Sequence, residues 1–227
     1  MLAVCLLTFI AMSITAVPAT TQATTPTPTT TPQPPNGIPQ CAILECPVYT
    51  TLEEFGSNMW KRRLEAPGVW ARKVAPTCSL SAVTGLAFLD LHNYFVDNGI
   101  NKTTPITVRV SENIAAPSSC PDQSESFPCC DKSYALLFYI PAASQATAPP
   151  PSQDSGIELD YLEHPLEYYG ITFGGRPFNH NATEKYEQLS EYLDEQGFLY
   201  DTTTYFVEAY DKPWDPQPYR NEIRIFI

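Results

Sequence analysis

The sequence predicts an α+β fold: a distorted antiparallel eight-stranded barrel, built from two ββαββ repeats and flanked by two helices. Three observations predict it. Two stretches carry apolar residues at the spacing of an amphipathic helix, and strand-like segments stand on both sides of each. The order of these elements is the same in both halves of the chain. A short motif also recurs between the halves, because Leu64-Glu65-Ala66-Pro67 returns as Leu162-Glu163-His164-Pro165.

The first half places its helix between two pairs of strands. One face of this helix carries Val83, Leu86, Ala87, Leu91, Tyr94 and Phe95. Gly99 stands past its end, where glycine commonly stops a helix. In the strand that follows, Ile106, Val108 and Val110 alternate with polar residues, which is typical of a half-buried strand. The candidates are, in order, strands Pro47–Phe55 and Val69–Val74, the helix Leu80–Asp97, and strands Ile106–Val110 and Tyr134–Ile140.

The second half repeats this order. Its helix has Tyr186, Leu189, Tyr192 and Leu193 on one face. Asn181 and Glu184 have the spacing of a capping box, and Gly197 marks the end of the helix. The candidates are strands Ile157–Tyr161 and Leu166–Phe173, the helix Ala182–Gln196, and strands Tyr205–Tyr210 and Glu222–Ile227.

The N-terminal fifth of the chain indicates export. Leu2 to Val17 is an uncharged apolar run, and the first charged residue is Glu45. The run is too short to span a bilayer and is followed by small residues, which favours a signal peptide over residues 1–19. Residues 20–40 are rich in Thr and Pro and predict an extended, O-glycosylated stalk. One folded domain, residues 41–227, is expected after it, with no membrane span.

Cysteines and glycosylation sequons point to the same compartment. Of the seven cysteines, Cys5 lies in the signal peptide, and the remaining ones form an even set. An even set in an exported chain predicts disulfides, although the sequence leaves their pairing open. Adjacent Cys129 and Cys130 should have different partners, because neighbouring side chains of an extended chain point to opposite sides. The predicted disulfide residues are Cys41, Cys46, Cys78, Cys120, Cys129 and Cys130, and the predicted glycosylation sites are Asn101 and Asn181.

Charge and motifs exclude several functions. The net charge of −12 argues against binding to nucleic acid or to an anionic membrane surface. No nucleophile elbow, HExxH motif or phosphate-binding glycine loop is present in the sequence, so a protein without catalysis is expected.

Four segments carry a resemblance to a known family. They are Cys46-Pro47-Val48-Tyr49-Thr50; Arg63 with Ala66-Pro67 and Trp70; Phe138-Tyr139-Ile140-Pro141 with Pro149–Pro151; and Ala209-Tyr210-Asp211-Lys212-Pro213-Trp214 with Arg220-Asn221-Glu222-Ile223. Phe173-Gly174-Gly175 is similar to a turn of the same family. The domain resembles the SOUL heme-binding protein family over roughly residues 41–227. The resemblance implies a distorted barrel with two helices, and binding of heme or a related tetrapyrrole.

The resemblance also suggests which residues bind the ligand. Arg63 matches the family's strand arginine and is a candidate partner for heme propionates, with Trp70 at the end of the same segment. Leu64 stands where some members have an axial histidine, so heme would bind here without that ligand. His92, in the first helix, is the alternative axial candidate, against the interpretation of a residue at the helix edge. Glu222 opens the last strand and could anchor a cationic ligand, or could instead pair with Arg220 or Arg224.

Three functions therefore stand as hypotheses. The first is a secreted, extracellular protein that binds heme, another tetrapyrrole or a different small hydrophobic ligand. The second is a structural protein of an extracellular matrix or coat, to which the stalk, the acidity and the disulfides point. The third is a small-molecule pocket or hydrolase that uses Glu222.

Overall fold

The computed structural model describes residues 37–56, 58–113, 120, 126–162 and 166–227. They belong to one compact unit, Gln33–Ile227. The predicted signal peptide (1–19) and the first part of the predicted stalk (20–36) lie outside the described residues. Within the described ranges, no helix is both long enough and apolar enough to cross a membrane.

The described residues of the domain form nine strands and three helices. The strands are β1 Tyr49–Phe55, β2 Met59–Leu64, β3 Gly68–Ala75, β4 Ile106–Glu112, β5 Lys132–Tyr139, β6 Ile157–Leu162, β7 Glu167–Phe173, β8 Thr204–Ala209 and β9 Asn221–Phe226. The helices are α1 Val83–Asp97, α2 Ala142–Gln145 and α3 His180–Gln196, and a 3-10 turn, Leu80–Ala82, leads into α1.

The strands form one antiparallel sheet in the order β1-β2-β7-β9-β8-β4-β5-β3-β6. The two repeats meet at its centre, where β4 pairs with β8 and Val108 lies opposite Val207. One strand of each repeat pairs with a strand of the other repeat, since β2 pairs with β7 and β6 pairs with β3. The leucine that begins the repeated Leu-Glu-x-Pro motif is the last residue of these two strands, Leu64 in β2 and Leu162 in β6.

The predicted α+β class and the flanking helices are confirmed, and the barrel is approximate. The sheet does not close, because β1 and β6 are its two edges. The prediction of eight strands was wrong by one: β2 was missed, and it occupies the place in the first repeat that had been given to Pro47–Phe55. The run Met59 to Leu64 contains three consecutive cations. The sequence therefore does not show that its side chains alternate between the two faces of the sheet.

One face of the sheet forms the main core with the two long helices. Helix α1 packs on β3 and β5, and α3 packs on β7 and β9. Because side chains alternate along a strand, every second residue of the central strands points into this core. Its fully buried members include Leu91, Phe95, Leu136, Ile171, Leu189, Leu193, Ile223 and Ile225.

The helix ends differ in detail from the prediction. The N-cap of α3 is Asn179, whose side-chain oxygen accepts a hydrogen bond from the Asn181 N–H at 3.0 Å. Asn181 was therefore wrongly placed as the cap, and it lies inside the first turn. Gly197 follows α3 with φ 70°, a conformation that favours glycine. On α1, Leu86 is 48% exposed and does not share the buried face, contrary to the prediction.

Three disulfides connect the cysteines. Cys41 bonds Cys46, Cys78 bonds Cys130, and Cys120 bonds Cys129. The adjacent pair, Cys129 and Cys130, thus has different partners. The Cys41–Cys46 loop packs with Ile38 on Tyr210, so chain from residue 38 onward, at the end of the predicted stalk, is already part of the folded unit. Of the two sequons, Asn101 is exposed after α1, whereas Asn181 is partly buried.

Candidate functional site

Helix α1 exposes an unusually apolar outer face. Its buried side, made by residues such as Ala87 and Leu91, packs on the sheet. On the outer side, Leu89 is 64%, Val96 58% and Phe88 38% exposed. Residues three, four and seven positions apart lie on one side of a helix, so these side chains form a stripe that includes His92. We call Phe88, Leu89, His92 and Val96 the outer stripe.

His92 is the residue of the outer stripe whose side chain contains nitrogen atoms, the kind of atom that can bind a metal. Its imidazole is partly buried and stacks on Phe88, with ring centroids 5.9 Å apart and an interplanar angle of 16°. Phe88 in turn contacts the edge of Phe138 on β5, at 5.4 Å. The sheet therefore fixes the aromatic side of the stripe, while Leu89 and Val96 remain open to solvent.

The structure places Arg63 on β2, which α1 and His92 do not pack against, and its side chain is exposed. Its guanidinium donates to the Glu167 carboxylate at 3.1 Å from Nε, and Lys61 lies 2.8 Å from the same carboxylate. Hydrogen bonds from Lys61 and then Arg63 lower the pKa of Glu167 below its usual value. Two cations of β3 are also paired: Arg72 with Asp160 and Glu158, and Lys73 with Asp90.

Leu64 and Trp70 come together in a cleft of about 240 Å³. Leu64 is a buried residue of the cleft lining, with 5% of its surface exposed. The Trp70 indole and the Tyr139 ring stand as cross-strand neighbours on β3 and β5, with centroids 5.2 Å apart and tilted by 56°. The remaining lining consists of Cys41, Glu45, Cys46, Pro47, Val48, Ala66, Pro67 and Ala142. The cleft is smaller than the 300–1,000 Å³ typical of ligand pockets.

Glu222 lies in a buried ionic network on the sheet face opposite the helices. It has no exposed surface, and its two oxygens accept from Arg62 Nη1 at 3.1 and 3.0 Å. Arg220 Nη2 donates to it at 2.7 Å, and the Tyr210 hydroxyl at 3.2 Å. Of the two partners considered from the sequence, Arg220 is found here, and Arg224 is not.

A second glutamate faces Glu222 across the β8–β9 pair. Glu208 is equally buried, and it is bonded by Arg224, by the Thr107 hydroxyl at 3.2 Å and by the Tyr210 hydroxyl at 3.1 Å. Burial raises the pKa of Glu208 to about 7; Arg224 opposes the rise, and the charge of Glu222 adds to it. The Tyr210 hydroxyl thus lies within hydrogen-bond distance of both fully buried carboxylates, and its single proton is donated to one of them at a time.

This network joins the first repeat to the second and involves residues that the sequence did not single out as site residues. Glu208 had a local signal, since it is a lone charge between Val207 and Ala209 in an apolar strand. Arg62 had none, because it is one of three adjacent cations, and only the fold brings it to Glu222. Among the described residues, no cluster of three or more His, Cys, Asp or Glu side chains has the geometry of a metal site.

The domain is similar to several solved structures of low sequence identity, and the first of them shares its fold. The C-terminal domain of EcmrR superimposes with a TM-score of 0.54 at 11% identity, covering 76% of this chain and 98% of that one. SAV2435 bound to tetraphenylphosphonium has a TM-score of 0.43 at 12% identity, covering 74% and 92%. An uncharacterized conserved protein from Listeria innocua has a TM-score of 0.44 at 10% identity, covering 73% and 90%. No curated protein matches the chain.

A family match extends over almost the whole folded unit. Residues 44–226 match the family described as SOUL heme-binding protein. The match includes all nine strands, α1 to α3, the outer stripe, both buried glutamates and the whole cleft lining except Cys41. The chain therefore belongs to the SOUL heme-binding protein family.

Proposed function

We propose that this chain is an exported protein that binds heme or a related tetrapyrrole without catalysis, and that the macrocycle lies on the outer stripe of α1. The observation that carries the proposal is the exposure of Phe88, Leu89 and Val96 beside His92 on one helix face. Exposed apolar patches on a soluble domain mark binding surfaces, and a tetrapyrrole presents a flat apolar face of its own.

The residues of the stripe suit a porphyrin in two respects. Phe88, Leu89 and Val96 offer exposed apolar contact to the macrocycle, and the Phe88 ring stacks on the imidazole and so fixes the orientation of His92. His92 supplies an imidazole nitrogen as the axial donor candidate, while position 64 offers only leucine. Bound heme would supply an iron centre there, and the protein would contribute apolar contact and one nitrogen ligand.

Charge suggests how the acid groups of the ligand are oriented. Arg63, Arg72 and Lys73 are each engaged by carboxylates of the protein. The propionates are therefore expected to point to solvent rather than into a basic pocket. The small cleft at Trp70 is the weaker candidate for a macrocycle, because its volume of about 240 Å³ is below the usual range for ligand pockets.

The buried network supports a binding rather than a catalytic role. Both oxygens of Glu222 are held by arginine and tyrosine donors, and the side chain has no exposed surface. A general acid or base must reach the proton that it transfers. We therefore assign Glu222 to holding the repeats together.

Titration of the purified chain with hemin tests the proposal. Saturable growth of a shifted Soret band is expected, and His92→Ala should move that band, because it removes the nitrogen donor. A linear absorbance increase with no saturation would refute binding. Export is tested separately, by comparing the amounts of protein in the medium of secretory cells with and without residues 1–19; retention of both forms in the cells would refute it.

A further inference from the structure

The cleft at Trp70 has a composition that the tetrapyrrole surface does not explain. Trp70 and Tyr139 form two walls of an aromatic corner, with ring centroids 5.2 Å apart at 56°. Gly68 permits this corner, because a Cβ there would stand 2.6 Å from Trp70 Cη2 and 3.3 Å from Tyr139 Cε2. Any other residue at position 68 would push the rings out of place.

The charge of the cleft is negative. Glu45 is the one acidic residue of its lining, and the lining contains no Lys or Arg. The carboxylate accepts a hydrogen bond from the neutral Ala142 N–H at 2.7 Å. No ion pair in the described part of the chain includes Glu45. Its charge is thus uncompensated at the rim of an aromatic corner.

Glu45 lies in the same cleft lining as the two aromatic rings. Burial raises the pKa of Tyr139, a hydrogen bond with Gln145 lowers it, and the negative charge of Glu45 raises it further. The position of Glu45 is fixed by the backbone, since its carbonyl accepts from the Thr104 N–H at 3.0 Å. The adjacent Cys41–Cys46 disulfide closes the loop that carries Glu45.

From this geometry we propose that the cleft binds a small organic cation with a quaternary ammonium group, such as choline. The faces of Trp and Tyr rings carry negative charge density that attracts such cations, and a nearby carboxylate adds to the attraction. A volume of about 240 Å³ suits a trimethylammonium group better than a drug-sized ligand. The same carboxylate repels phosphate, so the free cation is favoured over a phosphocholine lipid.

Calorimetric titration with choline chloride tests this site, with 3,3-dimethylbutanol as the neutral analogue of the same shape. Choline should bind saturably, and the alcohol about tenfold more weakly, because it lacks the charge. Trp70→Leu, which keeps an apolar wall, should weaken choline binding about tenfold or more. Glu45→Gln keeps an acceptor for the Ala142 N–H and should weaken binding by a smaller factor of about three to ten.

Trp214→Leu is the matched control, since Trp214 is 79% exposed and lies outside the cleft. It should bind choline like the parent. Equal binding of choline and the alcohol, equal binding by parent and Trp70→Leu, or no saturation up to about 10 mM choline would each overturn the proposal. Binding to phosphatidylcholine vesicles but not to choline would also overturn it, and would identify a lipid surface instead. Hemin binding by all these variants should be unchanged, which separates this site from the outer stripe.

Discussion

Replacing Glu222 by alanine removes the carboxylate that holds two arginines in the sheet interior. Among the described residues, Arg62 keeps Thr51 as a hydrogen-bond partner and stacks on the Trp60 ring, 3.7 Å from its centroid. Its side chain is 8% exposed, so solvent cannot replace the lost carboxylate. Removing one partner of a buried ion pair leaves an uncompensated charge and costs about 3–5 kcal/mol.

We therefore expect Glu222→Ala to lower the free energy of unfolding by about 3–5 kcal/mol, measured by urea denaturation. For a domain of this size, the melting temperature should fall by about 6–20 °C. Glu222→Gln keeps the shape and one acceptor oxygen, so its loss should be smaller. If Glu222→Ala does not fold, the glutamine variant and Arg62→Met provide the comparison.

Glu167→Ala is the matched control. Like Glu222, Glu167 forms ion pairs with two cations, here Lys61 and Arg63, but it lies at the surface. Exposed ion pairs contribute little, and its stability should match that of the parent. A loss of less than about 1 kcal/mol in Glu222→Ala would refute the assignment of Glu222 to a buried structural network.

Three further predictions follow from packing, protonation and covalent links. Because the pKa of Glu208 is raised to about 7 in the folded state, above the ordinary glutamate value of 4.5, folding takes up a proton between these values. Stability should therefore increase as the pH falls from 8 to about 5, by at most about 3 kcal/mol in urea titrations, and a decrease would contradict this. Gly170→Ala would make a Cβ overlap with the Trp60 indole, so a loss of about 1–3 kcal/mol is expected; an unchanged melting temperature would show that the indole moves freely. Replacing both Cys78 and Cys130 by serine opens a link with a sequence separation of 52 and should cost about 4 kcal/mol, whereas a change below about 1 kcal/mol would argue that this bridge does not constrain the unfolded chain.

The elements with strong periodicity were predictable from the sequence. Both long helices have apolar residues at helical spacing, strands such as β4 and β9 alternate apolar with polar residues, and the order of elements pointed to the repeat. Strand β2 was not recognised, because Arg62 faces the interior while Arg63 faces outward, and a run of cations looks exposed throughout. Its burial depends on Glu222, a partner 160 residues away.

The candidate site was predictable only in part, for a similar physical reason. Residues named from the family motif, such as Leu64 and Trp70, do meet in one cleft. Their neighbours Tyr139 and Glu45 come from other segments, and only strand pairing brings them together. The outer stripe was missed as a surface, because an apolar residue such as Leu89 gives no sign in the sequence of whether it faces the core or solvent.

The central claim is that the outer stripe of α1 binds the tetrapyrrole. The most direct measurement is a hemin titration, followed at the Soret band, of the double variant Leu89→Asp/Val96→Asp. Both side chains are more than half exposed, so the variant should fold. Leu199→Asp, at an apolar position that is 86% exposed outside α1, is the control. The account predicts at least about tenfold weaker hemin binding for the double variant and parent-like binding for the control; parent-like binding by the double variant would contradict it.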